Sequence, residues 1–342
     1  MTERLRIGVL GTGAIVREFH LPALLNNPRV EVTALGNRRA ASVEQLAQAH
    51  GIKQTYTDFA RMAAASEIDA VVNALPNYLH APVSIAMLQS GKHVLCEKPM
   101  ALTVAEAQAM NAAAQAAGRQ LMIAHPWRAS AVYHWLRAIV RSGVLGKIFK
   151  ARAHAVLAHA GPPTTSWFVQ PDLAGGGAFT DIGIHSIDTL SFVFDDQVHP
   201  VRVFAQMGTY FQPIKVEDTA IALIEYDNGM VAEIEAGWHH QHATSPHGAL
   251  ELFGTEGYAR TFPNEVRLSG GDVLPVPPPP PDQPHIQAAM YNAQIDHFVD
   301  CILNNAAPTC SGLQGQVGMQ VLEAAYRSTV SGEAVPIPPR SA

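Results

Sequence analysis

Short apolar runs rich in β-branched residues alternate with alanine-rich stretches of helical spacing over the first third of the chain. The apolar runs predict five strands: Leu5–Leu10, Val30–Leu35, Ala70–Ala74, His93–Leu95 and Leu121–Ala124. The stretches between them predict a helix after the first strand and three others: Ala41–His50, Pro82–Gln89 and Val104–Ala117. Strands that are separated by helices predict a parallel sheet with helices on both of its faces.

The pattern changes after His125, where strands follow one another without helices between them. A helical segment, Val132–Arg141, leads into five predicted strands: Ile148–Leu157, Val201–Gly208, Thr219–Tyr226, Met230–Gly237 and Ala249–Gly254. The tripeptide Asp227-Asn228-Gly229 between two of them is typical of a hairpin turn. The remaining segments are an extended proline-rich loop at residues 275–281 and closing helices at Ala288–Asn304 and Gln314–Thr329.

Two domains account for these patterns in a chain of 342 residues, of which 48% are hydrophobic. We predict a doubly wound α/β domain at residues 1–125. Residues 126–342 are predicted to form an α+β domain with a large open, mainly antiparallel sheet.

The composition excludes several classes of protein. The net charge of −6 and the absence of long runs of like charge argue against a surface that binds nucleic acid. No stretch approaches the roughly 20 apolar residues of a membrane span, and no apolar export segment precedes the first strand. The 3 cysteines are too few for a disulfide framework. We therefore expect a cytoplasmic protein that binds neither nucleic acid nor membrane.

A glycine-containing turn follows the first predicted strand and opens the first helix. Its residues are Gly11, Thr12, Gly13, Ala14 and Ile15, followed by Val16 where a third small residue is usual. Gly11 permits a tight turn, Gly13 lets the backbone approach a pyrophosphate, and the amides at a helix N-terminus attract that anion. An ordinary strand–helix turn is the alternative. The strand before and the helix after it favour a dinucleotide site.

The end of the second predicted strand bears on the choice of dinucleotide. A site for NAD usually has an acidic residue about 20 positions after the glycines. This chain has Asn37, Arg38 and Arg39 there. Asn37 can contact a hydroxyl or a phosphate, and the arginines can pair with a 2′-phosphate unless they are merely solvated surface charges. The sequence favours NADP(H) over NAD(H).

Candidate catalytic groups occur in both halves of the chain. Lys98 follows an apolar strand, and Asp181 and His185 are four residues apart, which places them on one face of a helix. An imidazole exchanges protons near physiological pH, and an ammonium group stabilises a developing alkoxide. Taken separately, the lysine can simply end a strand and the other two can be a surface pair. Together with the glycine turn, they favour oxidation of an alcohol or reduction of a ketone by a nicotinamide coenzyme.

Short motifs along nearly the whole chain carry a family resemblance. They are Gly11-Thr12-Gly13, His20-Leu21-Pro22, Pro76-Asn77 with His80, Glu97-Lys98-Pro99, Gly175-Gly176-Gly177, Asp181 with His185, and Glu323-Ala324-Ala325-Tyr326-Arg327-Ser328. Because these motifs occur in this order, the chain resembles the Gfo/Idh/MocA oxidoreductases, the family of glucose–fructose oxidoreductase and inositol dehydrogenase. The resemblance implies a Rossmann domain joined to a domain whose open sheet often mediates homodimers or homotetramers.

The resemblance also implies roles for individual residues. By this comparison, Lys98 lies beside the nicotinamide ribose and the substrate hydroxyl, His185 is the general acid/base, and Asp181 orients the substrate or the imidazole. Glu97 resembles a residue that contacts the nicotinamide ribose. The loop past the third predicted strand resembles one that covers the cofactor, through Pro76, Asn77 and His80. The implied substrate is a secondary hydroxyl or ketone of a sugar, cyclitol or related polyol.

Other polar and aromatic residues are weaker candidates. Arg128 could bind a polyol or carboxylate or pin the hinge between domains, and Trp167 and Tyr291 are either substrate-pocket residues or packing residues. The segment His239-His240-Gln241-His242 lacks the spacing of metal ligands, so we predict no metal site. Cys96 is interpreted as a buried structural thiol.

Two other functions remain open on sequence alone. One is a ligand sensor that keeps the fold and the cofactor pocket without chemistry, and the other is oxidoreduction of a carbonyl compound that is not a sugar. A sensor does not require Lys98, Asp181 and His185 to occur together, so their joint presence favours an enzyme.

Overall fold

The computed structural model describes residues 4–158, 161–241, 247–276 and 283–339. The chain divides into two compact units. The first contains residues 1–129 and 282–316, and the second contains residues 130–281 and 317–342. This division differs from the predicted boundary after residue 125, because residues 282–316 return to the first unit.

The strands are numbered here in chain order. They are β1 Leu5–Leu10, β2 Val30–Gly36, β3 Gln54–Tyr56, β4 Ala70–Asn73, β5 His93–Glu97, β6 Leu121–Ala124, β7 Ile148–Val156, β8 Pro200–Gly208, β9 Thr219–Tyr226, β10 Val231–Gly237, β11 Ala249–Gly254, β12 Gly257–Arg260, β13 Glu265–Leu268 and β14 Val335–Pro336.

The α-helices follow the same numbering. They are α1 Leu21–Asn26, α2 Ala40–His50, α3 Phe59–Ala64, α4 His80–Gln89, α5 Val104–Ala117, α6 Ala131–Ser142, α7 Pro171–Ala174, α8 Ile184–Val193, α9 Gln283–Leu303 and α10 Gly312–Ser331. Two π-helical turns, Val16–His20 and Phe179–Gly183, directly precede α1 and α8. None of the helices in the described part of the chain combines the length and the apolar character of a membrane span.

The first unit is built on a parallel sheet of six strands in the order β3-β2-β1-β4-β5-β6. This is the predicted doubly wound arrangement, and it is confirmed. The strand order reverses between β1 and β4, and ligands of such sheets bind beyond the carboxyl ends of the strands at that point. Strand β3 was not predicted, because its three residues are partly or fully exposed and carry no apolar pattern.

The core of the first unit explains why residues 282–316 belong to it. Ile295, Phe298 and Val299 of α9 are buried in the same apolar cluster as Ile7 and Val9 of β1. An apolar helix face packs on whichever core it fits. The helical pattern of α9 therefore predicted the helix, and it did not predict which unit would bury it.

The second unit contains a sheet of eight strands in the order β13-β12-β11-β7-β10-β9-β8-β14. Its neighbours are antiparallel except β7 and β10, which pair in parallel. The predicted mainly antiparallel sheet is therefore confirmed. The predicted hairpin between β9 and β10 is also present, with Gly229 at φ 83°.

Alternate residues of this sheet are buried, and the opposite face is partly apolar and exposed. Phe204 and Leu223 are paired across β8 and β9, and they are 37% and 43% exposed. Residues 277–281 of the predicted proline loop lie outside the described residues.

Candidate active site

The glycine turn after β1 has the geometry of a dinucleotide site. Gly11 has φ +105°, and a Cβ atom there would lie 2.3 Å from the carbonyl oxygen of Ala74, so only glycine fits. At Gly13, a Cβ atom would meet no atom of the described residues within 4 Å. The amides of Val16 and Arg17 donate to the oxygen of Gly13 at 3.2 and 3.1 Å, which begins the helix. The exposed backbone at Gly13 and the amides that precede Val16 can therefore receive a phosphate.

Polar side chains converge at the end of β2. The Asn37 amide donates to the hydroxyl of Thr12, which lies 2.7 Å from the hydroxyl of Ser42. Arg38 is exposed and donates to the Tyr78 hydroxyl at 3.0 Å. The sequence had indicated Thr12, Asn37 and Arg38. It had not indicated Ser42 and Tyr78, because neither adjoins a glycine motif or a strand end.

The segment predicted to cover the cofactor follows β4, which is the fourth strand rather than the third, because β3 had been missed. Pro76 precedes a short 3₁₀ turn that begins at the buried Asn77. The wholly buried His80 places Nδ1 2.7 Å from the Pro99 oxygen and Nε2 2.7 Å from the Leu75 oxygen. Burial lowers the pKa of His80 despite these carbonyl contacts. Both ring nitrogens of His80 therefore contact backbone carbonyl oxygens, and the side chain joins two backbone segments.

Glu97 ends β5 and is held by two groups of the first unit. Its Oε1 lies 2.6 Å from Nε2 of His20, and its Oε2 accepts from the amide of Lys98 at 3.1 Å. Burial by itself raises the pKa of Glu97, but the hydrogen bond with His20 and the nearby positive charges outweigh it and lower the pKa. The carboxylate therefore stays negative directly before Lys98.

Lys98 is half-buried, and it follows a strand whose last four residues are buried. This placement is the one that the sequence predicted for the lysine. Cys96, two residues earlier, is completely buried, and burial raises the pKa of its thiol well above the ordinary value. A thiol in this state is not a nucleophile, which agrees with its structural interpretation.

Asp181 and His185 lie on one side of a helical segment in the second unit. Asp181 is in the π-helical turn Phe179–Gly183, and His185 is the second residue of α8. Both are half-buried, whereas residues 182–184 between them are buried. The indole Nε1 of Trp238 donates to Oδ2 of Asp181 at 3.2 Å. Single-turn π-helices inside helices are frequent at functional sites, and this one carries Asp181 directly before the helix that carries His185.

Two of the three weaker substrate candidates, Arg128 and Tyr291, are buried. Arg128 is 3% exposed and donates to the Thr309 oxygen at 2.5 Å. Tyr291 is 7% exposed and stacks on Phe19 within the first unit, with ring centroids 4.8 Å apart. Trp167 is half-buried and packs against the ring of its neighbour Phe168. The ring contacts of Tyr291 with Phe19 and of Trp167 with Phe168 are packing contacts.

The histidine segment after β10 is only partly described. His240 Nε2 lies 2.9 Å from the Thr219 hydroxyl, and its Nδ1 lies 3.7 Å from a carboxylate oxygen of Glu235. His239 has a positive φ of 64°, and His242 lies outside the described residues.

A doubly wound parallel sheet with a glycine turn after β1 and polar groups after β2 defines a dinucleotide-binding protein. Comparison with family models agrees. Residues 5–125 match the model of the oxidoreductase family with an NAD-binding Rossmann fold, and residues 133–260 match the GFO/IDH/MocA C-terminal domain. The chain belongs to the Gfo/Idh/MocA family of oxidoreductases, and the resemblance noted in the sequence is confirmed.

Individual relatives align over nearly their full length. The 1,5-anhydro-D-fructose reductase of Ensifer adhaerens is 28% identical over 97% of this chain and 98% of its own. The D-apiose dehydrogenase of Paraburkholderia graminis is 28% identical over 97% of this chain and 90% of its own. The crystal structure of aldose-aldose oxidoreductase from Caulobacter crescentus, complexed with glycerol, superimposes with a TM-score of 0.84 at 27% identity, covering 98% of this chain and 100% of that one.

Proposed function

We propose that this protein transfers hydride between NADP(H) and a secondary hydroxyl or ketone of a sugar, cyclitol or related polyol. The observation that carries the proposal is the half-buried Lys98, which directly follows a buried strand and the ionised Glu97. The activities for which two of its relatives are named, reduction of 1,5-anhydro-D-fructose and dehydrogenation of D-apiose, support the substrate class.

The backbone and side chains of the first unit fit a nicotinamide dinucleotide. Gly13 and the helix that follows it would receive the pyrophosphate, because a Cβ atom at Gly13 would point into open space. Asn37 and Arg38 would meet the adenine ribose, and Asn37 is joined to the hydroxyl of Ser42 through the Thr12 hydroxyl. Arg38 can pair with a 2′-phosphate, and Asn37 does not repel it as an aspartate would. These features favour NADP(H) over NAD(H).

Proton transfer would be the task of the side chains, because the coenzyme supplies or accepts the hydride. The Lys98 ammonium would stabilise negative charge on the reacting oxygen, and the Glu97 carboxylate would balance the lysine. His185 would exchange the proton, and Asp181, held by the Trp238 indole, would orient the imidazole or the substrate.

A panel of sugars and cyclitols, assayed with both coenzymes, tests this function. We expect wild-type turnover with at least one of them. Lys98→Ala and His185→Ala should each lower kcat by about 10²-fold to about 10⁴-fold, with little change in coenzyme affinity. Lys53→Ala and His50→Ala, which replace exposed residues of the same types, serve as matched controls. Wild-type turnover in both site variants would contradict the roles assigned to them, and coenzyme binding without any turnover would favour a sensor.

We also propose that the exposed face of the second sheet pairs with a second copy of this chain to give a homodimer or homotetramer. The supporting observation is the apolar patch formed by Phe204, Leu223 and Ile221, of which Ile221 is 50% exposed. Leu223→Glu should lower the oligomer size measured by analytical ultracentrifugation, and an unchanged mass would contradict this assembly.

The three free cysteines, all buried, support a reducing location such as the cytoplasm.

A further inference from the structure

A carboxylate from a distant segment holds the start of the helix that carries Asp181. Glu217, which lies just before β9, is 8% exposed. Both of its carboxylate oxygens lie 2.9 Å from the amide of Gly177, and Oε1 also accepts from the amide of Phe179 at 3.0 Å. Its backbone oxygen accepts from the amide of Ala178 at 2.9 Å. Because the first amides of a helix lack partners within the helix, Glu217 supplies the cap that the local sequence does not.

Tyr326 completes this cap. Its hydroxyl donates to Oε1 of Glu217 at 2.7 Å, lies 2.8 Å from the hydroxyl of Thr180, and accepts from the amide of Gly177 at 3.3 Å. Burial raises the pKa of Glu217, and the hydrogen bond from Tyr326 opposes that shift. Loss of the hydroxyl would therefore remove a donor to Glu217 and one of the interactions that lower the pKa of Glu217.

Two glycines of the 175–177 motif, Gly176 and Gly177, are required by these contacts. A Cβ atom at Gly176 would lie 1.9 Å from the Tyr326 hydroxyl, and a Cβ atom at Gly177 would lie 1.9 Å from the backbone oxygen of Glu217. Two motifs of the family resemblance, the glycine run and the segment around Tyr326, thus meet at one buried cluster.

The cluster is connected to Asp181 from two directions. The Asp181 amide donates to the Gly177 oxygen at 2.9 Å, so the capped turn fixes its backbone. The Trp238 indole donates to its carboxylate, and the Trp238 amide donates to the backbone oxygen of Asp218 at 2.8 Å. Residues 217 and 218 therefore constrain both the backbone and the side chain of Asp181.

We propose that Glu217 and Tyr326 are positioning residues for the Asp181–His185 pair. They act through the helix start that they hold, and they take no part in proton transfer. This inference rests on the proposed function, because it assigns a purpose to the alignment of Asp181 and His185. A small displacement of catalytic groups is costly, since a misplacement of about 1 Å can lower a rate by about a hundredfold.

Tyr326→Phe and Glu217→Gln test the inference. Tyr326→Phe removes only the hydroxyl. Glu217→Gln keeps the shape of the side chain but replaces one carboxylate oxygen, which accepts hydrogen bonds, with an amide nitrogen, which donates them. Tyr133→Phe is the matched control, because the buried Tyr133 hydroxyl donates to the Gly248 oxygen at 2.6 Å in the same unit. Amide hydrogen exchange of residues 176–185 should become about fivefold faster or more in both test variants and stay unchanged in the control.

Kinetics provide the second readout. We expect kcat to fall about tenfold or more in both test variants, with unchanged KM for the coenzyme. The Tyr133→Phe control should lose about as much thermal stability as the test variants and keep the wild-type kcat. Unchanged exchange at 176–185, or a kcat loss no larger than that of Tyr133→Phe, would overturn the positioning role. A wild-type protein without turnover would instead count against the proposed function, and the exchange measurement would still decide whether the cap exists.

Discussion

The buried pair of His20 and Glu97 allows a quantitative prediction. The imidazole of His20 is completely buried, and its Nε2 lies 2.6 Å from a Glu97 side chain that is 8% exposed. His20→Phe keeps a ring of similar size against Tyr291 but removes the partner of a buried carboxylate. Removal of one partner from a buried pair costs about 3–5 kcal/mol, so we expect the free energy of unfolding to fall by that amount near neutral pH.

The loss should depend on pH in a defined direction. The folded-state pKa of Glu97 is lowered, so its contribution to stability is present above the unfolded pKa and is lost as the pH falls through the folded pKa. In His20→Phe, burial remains while the main opposing interaction is gone, so the carboxyl takes up a proton more readily. The difference between variant and wild type should therefore shrink as the pH is lowered from about 8 toward about 4.5.

Urea unfolding followed by circular dichroism across this pH range measures the effect. His50→Phe provides a matched control, because His50 is exposed at the end of α2 and its replacement should change stability little at any pH. A loss below about 1 kcal/mol for His20→Phe, the value of an exposed ion pair, would refute the reasoning, as would a loss that does not vary with pH.

Three further predictions concern the coenzyme site. Gly13→Val should leave the thermal midpoint of unfolding unchanged, because the valine side chain enters open space. The same variant should bind the coenzyme about tenfold or more weakly in a fluorescence titration, and unimpaired binding would contradict the site. Arg38→Ala should weaken NADPH binding by about tenfold with little effect on NADH, and an equal effect on both would argue against contact with the 2′-phosphate. Asn37→Asp should reverse the preference toward NADH through repulsion of that phosphate, and a retained preference for NADPH would show that Asn37 does not face it.

Much of the first unit follows from local patterns. The strand β1, the glycine turn and the helix α5 are each specified by neighbouring residues, so periodicity and glycine positions predicted them. The strand β3 and the helix α3 were missed, because short and partly exposed elements have no periodic signal. The packing of α9 into the first unit depends on which core accepts its apolar face, and its sequence does not contain that information.

The candidate site shows the same division between local and distant determinants. The position of Lys98 at a strand end could be predicted, and so could the position of Asp181 and His185 four residues apart along a helical segment, because both are local features of the sequence. The contact of Glu217 with Tyr326 joins residues 109 positions apart, and a single sequence has no pattern that marks such a pair. The pairing of His20 with Glu97 was hidden for the same reason, although both residues lay in motifs that the sequence had singled out.

The most direct test of the central claim is the transfer of deuterium between coenzyme and substrate. NADPH and NADH labelled with deuterium at C4 are incubated with the wild-type protein and keto-sugars. The reverse reaction uses carbon-deuterated sugars with the oxidised coenzymes. The products of both reactions are analysed by mass spectrometry. We predict that deuterium moves to or from the carbinol carbon, and that it moves faster with NADP(H). The Lys98→Ala and His185→Ala variants should still bind coenzyme but transfer deuterium about 10²-fold to about 10⁴-fold more slowly. Transfer at the wild-type rate in both variants, or no transfer to any sugar or polyol by the wild-type protein, would contradict the account.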